Sequence, residues 1–291
     1  MKKLTAIASL SLLMMSSAVF ASANHKVIYG TDSRQEVADY HDVRFQVFAQ
    51  SVAAMVSSGS LEKETRPGAR GSVFTFDDTV TLADTMKACQ HERFAEQPSL
   101  ASCTGFLVGE DTLVTAGHCV ESMADCRGNK WVFGFKDGVT SFSEDDVYRC
   151  VGIEGQANAL GIFSQRDYAV LKLDRKVKDR KPLKYRTRGR ISLGEELVVI
   201  GHPSGLPMKI ADNAQARRNR INFFYANTDT YGGNSGSPVF NRRNGQVEGI
   251  LIRSRAGSDY ERRGSCYVSR YVDYSSAREM IHRITRVPEI Q

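Results

Sequence analysis

Short runs of alternating apolar and polar residues fill the chain from about residue 100 onward. Gly, Asp and Asn, which favour turns, separate these runs from one another. The clearest runs are Gly105–Val108, Lys130–Phe135, Tyr168–Leu173, Glu196–Ile200 and Gln246–Ile252. A period of two over runs this short predicts β-strands, so we expect an all-β fold.

Two stretches depart from this pattern. Asp273–Ile284 has apolar residues at helical spacing and serines near its start that can cap a helix, so it predicts a C-terminal helix. The residues that share the face of this helix are Ala277, Met280, Ile281 and Ile284. Nearer the start, Phe45–Val56 is compatible with a helix face, while Ser51–Val56 is equally compatible with a first strand.

The first 23 residues have the pattern of an export signal. Met1–Lys3 supplies positive charge, Leu4–Phe20 is a short apolar run, and Ala21–Ala23 fits the small-residue cleavage rule. Cleavage after Ala21 fits the rule as well. The run is too short and too rich in Ser and Thr to serve as a membrane span. We therefore expect a signal peptide over residues 1–23 and a secreted or periplasmic mature protein.

The six cysteines of the chain fit this exported destination. An even number of cysteines in an exported protein indicates disulfides. Paired CxxC spacing is missing and no histidine stands at ligand spacing from the cysteines, so the sequence predicts neither a metal site nor a cofactor.

The chain carries a net charge of +6, and basic residues concentrate in the stretch 175–190. Such a stretch can bind a polyanion such as nucleic acid or lipopolysaccharide, or it can be a solvated connector. Because no stacking platform or nucleic-acid motif accompanies it, we interpret it as a connector and expect no nucleic-acid partner.

The candidate chemistry lies in three segments. Ser235 lies within the glycine-rich turn Gly232–Pro238, where its hydroxyl can reach a substrate carbonyl and the amides of Gly233 and Ser235 can receive the oxyanion. Upstream, an apolar run leads to His118, and Asp167 precedes the strand-like run Tyr168–Leu173. The order His, Asp, Ser is that of the chymotrypsin clan and differs from the order in subtilisin and in α/β-hydrolases.

With these motifs the chain resembles trypsin-like serine peptidases over roughly residues 100–285. Thr115–Cys119 resembles the family's histidine motif, Arg166–Leu173 its aspartate motif and Gly233–Pro238 its serine motif. The resemblance implies two six-stranded Greek-key β-barrels with a C-terminal helix. His118 and Asp167 would come from the first barrel and Ser235 from the second, with the active site in the cleft between them.

The same resemblance divides the chain and suggests its partners. We expect an N-terminal segment over 24–100, with a short pro-region and a first barrel strand, then one barrel over 101–180 and another over 181–291. We also expect a monomer that acts on polypeptides, without integral membrane segments.

In the family the unit ending at the histidine is closed by a disulfide, which implies a Cys103–Cys119 bridge. Cys126 and Cys150 flank a predicted hairpin region and could pair, which leaves Cys89 and Cys266 by elimination.

Two residues bear on specificity and activation. Asp229 lies six residues before Ser235, the spacing at which trypsin-like enzymes carry the acid that pairs with substrate Lys or Arg. Asn234 stands where many relatives have the aspartate that pairs with a new N-terminus, so we do not expect that form of activation.

Two alternatives stay open. The residues Asn234–Pro238 and Lys26–Gly30 resemble those of glutamyl endopeptidases, which also suggests processing after Lys26. That branch, however, has a histidine where Leu251 follows Gly249 and Ile250 here. The sequence therefore predicts cleavage after Lys or Arg, with a glutamyl endopeptidase as one alternative and an inactive fold that only binds as the other.

Overall fold

The structure is a computed structural model, and it describes residues 27–65, 71–160, 165–254, 259–277 and 279–291. The predicted signal peptide, residues 1–23, lies outside the described residues. Strands dominate the described chain, which confirms the all-β prediction. Three short helices accompany them: α1 Val43–Ala49, α2 Leu82–Met86 and α3 Met123–Gly128.

The strands fall into two groups along the chain. The group before the basic connector consists of β1 Ile28–Tyr29, β2 Arg34–Glu36, β3 Val52–Ser57, β4 Glu62–Thr65, β5 Ser72–Thr75, β6 Cys103–Leu107, β7 Thr112–Thr115, β8 Asn129–Phe133, β9 Ser141–Ser143, β10 Val147–Leu160 and β11 Gln165–Leu173. The group after it consists of β12 Glu196–Gly201, β13 Lys209–Asn219, β14 Phe223–Ala226, β15 Pro238–Asn241, β16 Val247–Ser254, β17 Tyr260–Arg263, β18 Cys266–Ser269, β19 Tyr271–Val272 and β20 Glu279–Arg283.

The first barrel is a closed ring of six strands in the order β10, β11, β7, β6, β3, β8. Strands β3 and β6 are almost entirely buried, and Trp131 from β8 is fully enclosed. A ring of six strands has an interior narrow enough for side chains to fill, so bulky apolar residues form the core here. The basic residues of the connector lie outside this core.

The second barrel closes in the order β12, β15, β16, β20, β14, β13, because β13 also pairs with β12. Two closed six-stranded barrels are what the sequence predicted, and the prediction is confirmed. Strand β2 adds to the outside of β13, and β1 pairs in parallel with β19. The first described residues, Val27–Glu36, therefore pack on the second barrel, although they precede the first barrel in sequence.

The predicted C-terminal helix is wrong. Residues Glu279–Arg283 form strand β20 between β14 and β16, and the chain ends in two short 3₁₀ turns, Ile284–Arg286 and Pro288–Ile290. All five residues of β20 are buried. Three of these buried residues, Glu279, His282 and Arg283, are polar, so the strand shows no alternation of apolar and polar positions that would identify it.

The ambiguous stretch near the start contains both predicted elements. Helix α1 buries Phe45 and Ala49, and two residues later the chain enters β3 of the first barrel. The connection between the barrels, residues 174–195, contains no regular strand or helix. The predicted boundary between residues 180 and 181 falls inside this connection and stays a prediction.

Three disulfides join the pairs Cys89–Cys266, Cys103–Cys119 and Cys126–Cys150. These are the three pairs that the sequence suggested. Within the part of the chain that the structure describes, no helix is long and apolar enough to cross a membrane.

Candidate active site

His118 lies in a short 3₁₀ turn, Gly117–Cys119, one residue after the end of β7. The buried residues of β7 anchor the chain in the first barrel, and the Cys103–Cys119 disulfide ties the turn back to β6. The His118 side chain is 30% exposed while its neighbours Gly117 and Cys119 are buried. The fold thus presents one partly accessible imidazole on a fixed support.

Asp167 and His118 lie together, as the sequence predicted for a catalytic pair. Asp167 is fully buried near the start of β11, and its Oδ2 lies 2.8 Å from His118 Nδ1. Its other oxygen, Oδ1, accepts a hydrogen bond of 3.0 Å from the His118 backbone N–H. A carboxylate on Nδ1 selects the tautomer that leaves Nε2 unprotonated and available as a base.

Ser235 lies on the second barrel in the turn that leads into β15. Its Oγ lies 3.4 Å from the Ile252 carbonyl oxygen, and Cys119 Sγ lies 3.7 Å from the Ser235 carbonyl oxygen. Because Cys119 follows His118 directly, this contact brings the serine segment against the histidine turn. The structure therefore brings all three predicted residues into one region where the barrels meet.

The backbone around Ser235 requires its glycines. Gly233 and Gly236 adopt φ values of +86° and +90°, in the left-handed region that side chains with a Cβ rarely occupy. A Cβ on Gly233 would overlap the His202 carbonyl, and one on Gly236 would overlap the Thr104 carbonyl. Only glycine fits both positions of this turn, and the oxyanion-binding role of the Gly233 and Ser235 amides stays a prediction.

Thr104 on β6 joins the two barrels at this point and was missed by sequence reasoning. Its backbone N–H donates to the Ser235 carbonyl at 2.8 Å, and its Oγ1 donates to the Gly233 carbonyl at 2.8 Å. The same Oγ1 accepts a hydrogen bond of 3.2 Å from the His202 N–H. A buried threonine beside a cysteine carries no signal of this role in the sequence.

Asp229 is buried, and its carboxylate is engaged with the N-terminal segment. The Tyr29 N–H donates to Oδ1 at 2.7 Å, while the Ser33 N–H and hydroxyl donate to Oδ2 at 2.8 and 2.7 Å. Burial raises the pKa of Asp229 to about 6, although the hydrogen bonds from Ser33 and Tyr29 act in the opposite direction. The carboxylate thus fixes the N-terminal segment next to the serine segment, and a substrate-binding role for it stays a prediction.

A second buried carboxylate, Glu279, contacts Thr230, the residue after Asp229, and was not predicted. The Thr230 hydroxyl donates to its Oε2 at 2.9 Å, and the Tyr29 hydroxyl donates to its Oε1 at 3.2 Å. Glu279 is opposite Ser254 in the register of β20 with β16, two residues beyond Ile252. Two acidic side chains therefore flank the segment that leads to Ser235.

The N-terminal segment contacts the segment that leads to Ser235 at a third point. The Arg34 guanidinium is buried, lies 4.4 Å from the centre of the Tyr231 ring, and is hydrogen-bonded to Asp32. Residues 27–36 thus support the backbone on which the predicted nucleophile depends.

The described residues do not form a fitting metal site at this centre. The ligand-type atoms that lie close together belong to Cys103, His118 and Cys119. Both sulfurs are in the disulfide, so neither is a thiolate able to bind a metal. This leaves His118 as the single side chain of the group with a free ligand-type atom.

Comparisons with known proteins agree with this geometry. A family model for a trypsin-like peptidase domain matches residues 103–250, slightly more than half of the chain. The chain therefore belongs to the trypsin-like peptidase family.

One curated relative matches part of the chain at low identity. An extracellular metalloprotease of Bacillus subtilis (strain 168) is 28% identical over 185 residues, which are 58% of this chain and 55% of that protein. The chain thus spans about half the length of this curated relative.

Two solved structures share the fold at low identity. A Glu endopeptidase in complex with MPD has a TM-score of 0.53 and 17% identity, over 91% of this chain and 97% of that one. The VesB protease of Vibrio cholerae has a TM-score of 0.51 and 13% identity, over 91% of this chain and 66% of that one.

Proposed function

We propose that the protein hydrolyses peptide bonds through His118, Asp167 and Ser235. A serine hydroxyl is a weak nucleophile at neutral pH, so it needs a positioned base. His118 takes the Ser235 proton as Oγ attacks the scissile carbonyl, and then gives that proton to the leaving amine. Asp167 holds the imidazole tautomer and stabilises its cation. The 2.8 Å contact between His118 Nδ1 and the buried Asp167 is the observation that carries this proposal.

The reaction proceeds through an acyl-enzyme on Ser235, which water then hydrolyses by the reverse route. The backbone amides of Gly233 and Ser235 bind the tetrahedral oxyanion, and each such donor is typically worth about 3–4 kcal/mol in the transition state. The positive φ of Gly233 supports this assignment, because it turns the backbone in the way an oxyanion hole requires.

We propose cleavage after Lys or Arg. Two buried carboxylates, Asp229 and Glu279, border the segment that precedes Ser235, and buried acidic groups favour a cationic side chain over an acidic one. A glutamyl endopeptidase is the alternative, and the structural likeness to a Glu endopeptidase is the observation that favours it. Peptides that differ only by Arg, Leu or Glu before the scissile bond distinguish the two.

We further propose that the chain is exported and that its mature form begins near Val27. The apolar stretch at residues 4–20 supports a signal peptide, and the three disulfides fit an oxidising compartment. Val27 and Ile28 are fully buried against the second barrel. N-terminal sequencing of the protein recovered from the culture medium or from the periplasm tests both statements.

A fluorophosphonate probe tests the peptidase proposal directly, because it reacts only with an activated serine. We expect labelling of the wild type on Ser235 and no labelling of Ser235→Ala. If a correctly folded wild type is not labelled, the fold acts as a binding module and the proposal is wrong.

A further inference from the structure

Arginines that the proposed mechanism does not use meet at one end of the second barrel. Arg283 is the last residue of β20, and its side chain is buried. Its Nε donates to the Arg220 carbonyl oxygen at 3.1 Å, and its Nη2 donates to Asn219 Oδ1. Asn219 Nδ2 in turn donates to the Ile191 carbonyl oxygen at 3.1 Å. This last contact brings the basic connector, and with it Arg190, to the end of β20.

Arg286 joins the same group of arginines from the end of the chain. It is exposed in the 3₁₀ turn Ile284–Arg286, which follows β20 directly. The last residues are held against the connector, because the Tyr185 hydroxyl donates to the Ile290 carbonyl oxygen at 2.5 Å. Four arginines from three segments therefore lie at this end of the barrel. We call them the arginine cluster: Arg190, Arg220, Arg283 and Arg286.

The charge of the arginine cluster is not compensated. Among the residues that the structure describes, no member of the cluster forms an ion pair, and both acceptors of the Arg283 guanidinium are uncharged. Glu248, which precedes the β16 residue opposite Arg283, is bound by Arg186 at 2.6 Å. Burial lowers the pKa of Arg283 from 12.5 to about 10, and the charges of Arg190 and Arg286 add to this effect while Glu248 opposes it.

Positive charges held together without a carboxylate cost free energy that a bound anion would recover. A neutral side chain in place of Arg283 would avoid the cost, so packing alone does not explain the arrangement. A phosphate group suits it well, because it carries close to two negative charges and three acceptor oxygens, and a guanidinium fork can bind two of these oxygens at once. A carboxylate, with one charge, would leave most of the cluster uncompensated.

We propose that the arginine cluster binds a phosphate group, either as free phosphate or on the headgroup of an anionic lipid. Arg190 and Arg286 are exposed and donate to the phosphate oxygens, while the buried Arg283 supplies positive charge beneath them. The cluster is separate from the proposed active site. Arg283 lies four residues along β20 from Glu279, which is about 13 Å in a strand. The inference therefore does not rest on the peptidase proposal.

The test is calorimetric titration of inorganic phosphate into the protein at neutral pH, with sodium chloride at equal ionic strength as the reference. We expect the wild type to bind phosphate. The double variant Arg190→Gln and Arg286→Gln should weaken Kd by about tenfold or more, because it loses charge-assisted hydrogen bonds. The double variant Arg190→Lys and Arg286→Lys keeps the charge but loses the planar fork, so its Kd should lie between the two.

Arg127→Gln is the matched control. Arg127 is an exposed arginine on α3, beside the first barrel, so its replacement removes the same charge away from the cluster and should leave the Kd for phosphate unchanged. All of these positions are exposed, so we expect every variant to fold, and thermal melting in chloride checks this. Co-sedimentation with vesicles of phosphatidylglycerol and phosphatidylcholine tests the lipid headgroup, and vesicles of phosphatidylcholine alone are the blank.

Binding of phosphate, or of the anionic vesicles, that the glutamine double variant loses would support the proposal and identify the source of the phosphate group. The proposal is overturned if the wild type binds neither probe beyond the chloride reference and the neutral vesicles. It is equally overturned if the glutamine double variant binds as tightly as the wild type.

Discussion

His202 should make the protein sensitive to acid. Its ring is fully buried, stacks on Phe135 with centroids 5.6 Å apart, and lies 3.0 Å from the Leu206 carbonyl oxygen through Nδ1. Burial lowers the pKa of His202 from 6.5 to about 4, and the charge of Lys209 adds to the effect. The turn after His202 also contacts Gly233. A disturbance of the buried His202 ring would therefore also disturb the predicted oxyanion hole.

The direction in which pH changes the free energy of unfolding follows from proton binding. Between pH 6.5 and 4 the unfolded chain binds a proton on His202 and the native protein does not, so the free energy of unfolding falls as the pH falls. The contribution is fully present above pH 6.5. At pH 4.5 the loss is about 2.5 kcal/mol, because each pH unit between the two pKa values is worth about 1.4 kcal/mol.

The assay is urea unfolding of the wild type and of His202→Gln at pH 7.5 and at pH 4.5. Gln can still donate to the Leu206 carbonyl but does not titrate, so the difference between the two proteins isolates His202 from every other group. We expect the wild type to be more stable at pH 7.5, by about 1 kcal/mol, and less stable than the variant at pH 4.5. His91→Gln, at an exposed position, is the control. A difference between wild type and His202→Gln that does not change with pH would refute the reasoning.

Three further outcomes are expected. Asp229→Asn and Glu279→Gln should each lower kcat/KM for Arg peptides more than for Leu peptides, because breaking a buried charge pair costs about 3–5 kcal/mol. Equal losses on both peptides would mean that the carboxylate acts through the N-terminal segment and not on the substrate. Thr104→Val removes a hydroxyl that donates to the Gly233 carbonyl and accepts from the His202 N–H, so it should lower the free energy of unfolding by about 1–3 kcal/mol and lower kcat. A variant with wild-type kcat would show that these hydrogen bonds are dispensable for the reaction. A non-reducing digest should yield Cys103 and Cys119 in one linked peptide pair. Replacing both cysteines by serine should lower the free energy of unfolding by about 3 kcal/mol, the value expected for a loop of this length, as measured from folding and unfolding rates in denaturant. A free thiol at either cysteine in active protein would contradict the bridge.

The sequence predicted the barrels and the triad region because these depend on local patterns. Alternating strands, glycines with positive φ and a histidine at the end of a strand leave signals within a few residues of themselves. The mistake came from β20, which is buried on both faces and so lost the alternation that identifies a strand. The predicted helix face combined Met280 and Ile281 of this strand with Ala277 and Ile284, which lie outside it.

The partners of the buried charges could not be predicted, because they depend on contacts between distant parts of the chain. Asp229 meets Ser33 across 196 residues, and Glu279 meets Tyr29 across 250 residues. Spacing from Ser235 alone suggested an acid open to substrate. The structure shows that the same carboxylate accepts hydrogen bonds from the N-terminal segment, and no local pattern encodes these contacts.

The most direct test of the account is hydrolysis of an Arg peptide by the wild type and by Ser235→Ala. Ser235 supplies a hydroxyl to the reaction and little to the core, so the variant should fold and melt like the wild type. We expect its kcat to fall by at least a thousandfold. A well-folded Ser235→Ala protein that retained more than about a thousandth of wild-type turnover would contradict the assignment of the nucleophile.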